Sequence, residues 1–220
     1  FLEYLSHELN TPLNWLAGAS LLRPGQLTPE LADAVRMVQK GQSRLQQLVG
    51  TSLRYFDLAR RECEPTLSHC QPMWMVDAWR RQHADKIEQR EVQLINRIPA
   101  DLQVVACESE LGEVLGMLLD NAVRCSDIGG EVVAEASIDR AGQQATLRVV
   151  DHGKGLEADD LARIFKPFFM VGSGHQADGF GLSLPTAKVM VDHMGGEIWA
   201  ESGGRGAGLT VCVRLPLALL

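Results

Sequence analysis

No stretch of the sequence reaches the ~18 uninterrupted apolar residues that a membrane-spanning helix needs, and no signal-peptide pattern precedes the first motif. A soluble polypeptide without direct membrane contact is expected. Positive charge is also scarce: 21 Lys and Arg stand against 28 Asp and Glu, a net charge of −7, and no run of five like charges occurs. That balance disfavours a nucleic acid or an anionic membrane as the main partner. Cysteine is sparse, with Cys63, Cys70, Cys107, Cys125 and Cys212 forming an odd set without a C-x-x-C pair. Neither a disulfide framework nor a zinc site is indicated, and a reducing cytoplasm fits best. His69 beside Cys70 lacks the second pair that would complete a metal site. Internal repeats and low-complexity segments are absent as well. What the chain does have is 45% hydrophobic residues spread over 220 positions. This disfavours disorder and suffices for one ordinary domain or two small ones.

Residues 1–62 read as a helical hairpin. Leu2, Leu5, Leu9, Pro12, Leu16 and Ala19 step by threes and fours, as along the seam of a helical bundle. Arg23-Pro24-Gly25 breaks that helix. Thr28 then supplies an N-cap, with Pro29 at the first helical position of a second helix. The second helix carries Leu31, Val35, Val38, Leu45, Val49, Ser52, Phe56 and Ala59, with Gln42 as its polar interruption. One hairpin cannot bury two such stripes, so a four-helix bundle made by two chains is expected. The opening inside a helix suggests a piece of something longer.

Residues 63–72, with two prolines, read as a linker. Beyond it, 73–220 mixes helix (near 73–90, 108–125 and 181–194) with strand (near 92–98, 103–107, 130–139, 144–151, 196–202 and 208–214). The order predicts an α+β layer, one sheet covered on one face by helices.

Three segments carry chemistry. In Ser6-His7-Glu8-Leu9-Asn10-Thr11-Pro12-Leu13, heptad counting from Leu2 and Leu9 puts His7 on the solvent side, where its imidazole is accessible. Glu8 follows directly and can hold the ring tautomer while the other nitrogen attacks an electrophile. On the helix at 108–125, Leu111, Val114, Leu115, Leu118 and Ala122 face the core. Asn121 and Arg124 lie on another stripe, an amide oxygen and a cation suited to Mg²⁺ and the phosphates it bridges. Asp151-His152-Gly153-Lys154-Gly155 ends a strand, and Phe165-Lys166-Pro167-Phe168-Phe169 precedes Gly179-Phe180-Gly181-Leu182 at the entrance of a helix. Glycines there let free N–H groups approach phosphate oxygens, and an Asp at a strand end can accept from the exocyclic amine of adenine. Each segment alone is weak evidence; their joint order is specific.

In that order the sequence resembles the transmitter core of bacterial two-component sensor histidine kinases along essentially its whole length. Ser6–Leu13 resembles the H-box, Leu118–Arg124 the N-box, Asp151–Gly155 the first glycine box, Phe165–Phe169 the F-box and Gly179–Leu182 the second glycine box. The resemblance implies a dimeric helical hairpin followed by an α/β-sandwich ATP-binding domain of the histidine kinase, gyrase and chaperone type. It implies His7 as phosphoacceptor, Glu8 as its base and Glu8 with Thr11 in removing phosphate from a partner. It implies Asn121 as Mg²⁺ ligand, Asp151 as adenine reader and 156–178 as an ATP lid. Arg124, Gly153, Gly155, Phe168, Gly179, Gly181 and Leu182 join them around ATP. The implied partners are a second copy of the chain and the receiver domain of a response regulator. The implied location is the cytoplasm, alone or as part of a membrane-anchored sensor.

Four positions depart from the family pattern. Met117 stands where a second Asn is usual, Cys125 where an aromatic is, Ala177 where the second glycine box opens, and Asn10 where an Arg is usual. Met117 motivates one alternative, a non-catalytic dimer that binds or dephosphorylates a regulator. A gyrase-type ATPase is disfavoured, because Met117 occupies the turn that would carry its water-activating carboxylate.

Overall fold

The structure, a computed structural model, describes residues 28–61, 64–171 and 179–218. His7, Glu8, Thr11 and Asn10 lie outside the described residues, as does Ala177. The chain divides into two compact units, Phe1–Arg61 and Glu62–Leu220.

In the first unit, helix α1 (Pro29–Ala59) runs 31 residues. Thr28 takes the extended N-cap conformation and Pro29 the first turn, as the sequence predicts, although the Thr28 hydroxyl makes no capping bond. The predicted stripe divides in two: Val35 and Gln42 are buried, with Ala32 beside them outside the stripe, whereas Leu31, Val38, Leu45 and Phe56 stay exposed.

The second unit begins with a difference from the expected linker: Ser68–Cys70 forms strand β1. It pairs antiparallel with β3 (Val104–Ala106), Cys70 opposite Val104. Neither strand joins the main sheet, a pairing between distant segments that local composition does not encode. The helix expected near 73–90 is two helices, α2 (Pro72–Gln82) and α3 (Ala84–Gln89). The break falls at His83, whose φ of −115° and ψ of 24° leave the helical region. Helix α4 (Glu108–Cys125) has the bounds its periodicity predicts. Its core stripe of Leu111, Val114, Leu115, Leu118 and Ala122 is buried, each fully buried leucine contributing about 1.5–3 kcal/mol.

The main sheet has the order β2-β4-β5-β7-β6. Its strands are β2 (Gln93–Asn96), β4 (Glu131–Asp139), β5 (Gln144–Asp151), β6 (Glu197–Glu201) and β7 (Leu209–Pro216). Only β2 with β4 is parallel. Short helix α5 (Ala158–Leu161) and helix α6 (Ser183–His193) complete the unit. Helix α4 packs on β4, β5 and α6, and α6 packs on β6, so the helices form a layer over the sheet. Along β5 the side chains alternate strictly, with Ala145, Leu147 and Val149 buried. Period two places Asp151 on that same inner face.

Candidate functional site

Register decides the environment of Asp151. It ends β5 opposite Val132 on one side and Leu209 on the other, and it is only 4% exposed. Its Oδ1 accepts from the backbone N–H of Gly153 at 2.9 Å and of Leu209 at 3.2 Å. Among the described residues, no protein group donates to Oδ2. Burial pushes the carboxyl above its ordinary range, and the two backbone donors only partly oppose that. Gly153 is required by crowding: a Cβ there would lie 2.1 Å from the Cys125 carbonyl oxygen. The loop after β5 is thereby pressed against the C-terminal end of α4, with Gly155 in its turn at φ +60°.

That end of α4 carries the second group of predicted residues. Arg124 Nη2 donates to Asn121 Oδ1 at 2.8 Å, and the Cys125 thiol lies 3.8 Å from the same oxygen. Burial raises the Cys125 thiol above its usual range. Arg90, a residue that sequence reasoning missed, donates through Nη2 to the carbonyls of Arg124 and Ser126, both at 2.8 Å. It caps the last turn and sets its positive charge at the negative end of the helix dipole.

Gly179 follows from the other direction, where a Cβ would approach Arg124 Nη1 to 2.9 Å. Gly181 has φ +66°, and a Cβ there would come within 2.4 Å of the Phe169 carbonyl oxygen. Phe168, itself at φ 62°, donates its N–H to the Gly181 carbonyl at 2.9 Å. The two distant motifs are thus stitched backbone to backbone, while the Phe168 ring is half exposed. Leu182 is buried and leads into α6.

Between α2, α4 and α6 lies a cavity of about 370 Å³ lined by Met117, Asn121 and Arg124, by Ser183 at the start of α6, and by Trp79 and His83 from α2 and its end. Gly112, Gly116, Glu113 and Asp120 complete its α4 wall, and Asp120 is ion-paired with Lys86. Asn121 and Arg124 are the predicted site residues that reach this cavity. Asp151 and Gly153 do not line it; they lie just past the C-terminal end of the same helix, against Cys125.

A buried acid, a cavity with an amide and a guanidinium, and two glycine turns therefore converge on one helix, in the order that the motifs have along the chain. Residues 106–219 match the family of Histidine kinase-, DNA gyrase B-, and HSP90-like ATPases. The chain belongs to this family. Residues 1–62 match the His Kinase A (phospho-acceptor) domain. Together the two matches give the chain the domain pair of a two-component sensor histidine kinase transmitter core. The histidine protein kinase DivJ of Caulobacter vibrioides is 31% identical over the whole of this chain. The sensor histidine kinase RcsC of Salmonella typhimurium is 28% identical over 99% of it. The chain spans 37% of the first and 23% of the second. The crystal structure of full-length ShkA in complex with AMPPNP superposes with a TM-score of 0.80 at 27% identity, covering all of this chain and 46% of ShkA. The pairing of an acceptor domain with an ATPase domain favours the kinase over a non-catalytic dimer. Among the described residues no helix is long and apolar enough to cross a membrane.

Proposed function

We propose that this core binds Mg·ATP in the Glu62–Leu220 unit, transfers the γ-phosphoryl group to His7, and passes it to an aspartate of a response-regulator receiver domain. The observation that carries this reading is the Asp151 carboxylate. Two backbone donors hold Oδ1, so Oδ2 is left to accept from the exocyclic amine of adenine. Gly153 and Gly155 let the loop after β5 pack against the backbone of Cys125 and Gly204, which holds Asp151 in place for the base, while Gly179, Gly181 and Leu182, with Phe168 behind them, shape the phosphate side of the pocket. Arg124 neutralises phosphate charge, and charge neutralisation with alignment is most of what phosphoryl transfer demands.

In transfer, a His7 ring nitrogen attacks the γ-phosphorus, the bond to the β–γ bridging oxygen breaks and ADP departs. Glu8 accepts the proton from the other ring nitrogen. Glu8 with Thr11 then serves the removal of phosphate from the regulator. The donor set fits a magnesium ion that shares its shell with the nucleotide. Asn121 Oδ1, which also accepts from Arg124 Nη2, is the amide oxygen on this face of α4, and Met117 offers none, so phosphate oxygens and water must supply the rest. When bound, Mg²⁺ supplies charge neutralisation at the phosphates.

Incubation with γ-labelled ATP and Mg²⁺, followed by acid and alkali treatment, tests the reading. The label should be acid-labile and alkali-stable, as phosphohistidine is; acid-stable label or none refutes it. Met117→Asn restores a second oxygen one turn before Asn121. It is expected to raise Mg²⁺-dependent ATP affinity or the rate of autophosphorylation by up to about tenfold, equivalent to roughly 1.4 kcal/mol. A Mg²⁺ titration and a rate that both stay unchanged would mark Met117 as neutral variation.

The core acts as a homodimer in this reading, with a cytoplasmic location. Leu31, Val38 and Leu45 repeat every seven residues on α1, and all three are exposed, the seam a partner helix covers. Leu45→Asp should shift sedimentation at tens of micromolar toward monomer, while Gln46→Asp should leave the dimer intact. Equal sedimentation of the two variants would place the interface elsewhere.

A further inference from the structure

The cavity reaches well past the predicted phosphate residues. From Asn121 back to Gly112 it follows α4 for nine residues, about 13.5 Å at 1.5 Å per residue. Its far wall is the Trp79–His83 pair. The two rings are stacked, centroids 4.4 Å apart and 14° from parallel. Gly116 leaves room for Trp79, since a Cβ there would already lie 3.3 Å from Trp79 Cδ1. His83 Nδ1 is 3.0 Å from the Trp79 carbonyl oxygen. A carbonyl only accepts, so Nδ1 carries the proton and Nε2 is the nitrogen left for a ligand. The stack and the carbonyl bond hold the ring from two directions.

Resting on the kinase reading, we infer that His83 is a specificity residue for the terminal phosphoryl group: its imidazolium donates Nε2–H to a γ-phosphoryl oxygen and favours ATP over ADP. With the base at Asp151, beside the C-terminal end of α4, and the inner phosphates at Asn121 and Arg124, the nucleotide points its last phosphate along α4 toward Met117 and the stacked wall. At that end the lining charges on α4 are the carboxylates of Glu113 and Asp120, the latter paired with Lys86. His83 is therefore the lining side chain there that can meet an anion with positive charge. It lines the same cavity as Met117, which brings no amide.

The two imidazole nitrogens can be separated by substitution. His83→Asn keeps a donor near Nδ1 and loses the Nε2 position, whereas His83→Gln places its amide nitrogen near Nε2. Affinities of the whole chain for ATP and for ADP are measured in EDTA, where transfer does not turn over and the metal drops out of the comparison. His83→Asn should weaken ATP about tenfold or more with ADP within about twofold, and His83→Gln should stay within about threefold of the parent for both. An unchanged ATP-to-ADP ratio in His83→Asn, or a Gln variant as impaired as the Asn variant, overturns the inference. If His83→Asn does not fold, His83→Phe keeps the stacked ring without nitrogen and is held to the same thresholds. A parent chain that binds neither nucleotide overturns the kinase reading and this inference with it. Binding of both with an unaltered ratio overturns this inference alone.

Discussion

His7→Gln should reduce label incorporated from γ-labelled ATP to background while ATP and ADP affinities stay within about twofold of the parent. The reason is a division of labour between the two units of the chain. His7 belongs to the phospho-acceptor match at 1–62, whereas Asn121, Arg124 and Asp151 belong to the ATPase match at 106–219. Glutamine is close to histidine in size and polarity, but its amide nitrogen has no nucleophilic lone pair. Binding and chemistry should therefore separate completely. Glu8→Gln should give the intermediate result, a phosphorylated but slower protein, because a general base commonly contributes ~10²–10⁴-fold. Label at the parental level in His7→Gln would move the acceptor to another residue.

Asp151→Asn should lower affinity for ATP and ADP alike by about 10–100-fold, the worth of a hydrogen bond to a charged acceptor at roughly 1.5–3 kcal/mol. The amide oxygen can still accept from Gly153 and Leu209, so the turn after β5 persists. The amide nitrogen then meets the exocyclic amine of adenine, donor against donor. Stability should move the other way. Burial raises the carboxyl of Asp151 above its ordinary 3.8. A carboxyl raised on folding contributes stability below its unfolded pKa, and that contribution is lost as pH rises through the folded value. At neutral pH the buried charge is a cost, and the substitution removes it. The variant should melt at or above the parental temperature at pH 7, with the difference shrinking as the buffer approaches pH 4. Weaker binding with a lower melting temperature would mean instead that the new amide disrupts the turn. Unchanged affinity would remove Asp151 from adenine recognition.

The sequence by itself determined what depends on neighbours a few residues apart. The three-four rhythm of Leu111, Val114, Leu115, Leu118 and Ala122 set helix α4 at Glu108–Cys125. The strand expected near 144–151 is β5, Gln144–Asp151, with Asp151 at its end as the motif predicts, although its place on the inner face is read from the burial pattern. Pro29 fixed the start of α1. The motif order on these elements was enough to place the chain in its family, because each motif is short and local. Contacts between remote segments were decided only by the tertiary structure. Ser68–Cys70 looks like linker until it meets Val104–Ala106 across the fold. Arg90 is an ordinary surface basic residue by sequence, and its grip on the carbonyls of Arg124 and Ser126 exists because the end of α3 lies against the end of α4. The helix expected to run unbroken to residue 90 turns aside at His83, which brings its ring onto Trp79 and both onto the cavity beside Met117. Hydrophobic period and capping chemistry act within one or two turns of chain and are written there. The meeting of side chains dozens of residues apart depends on how packed elements cross, and no local pattern records it.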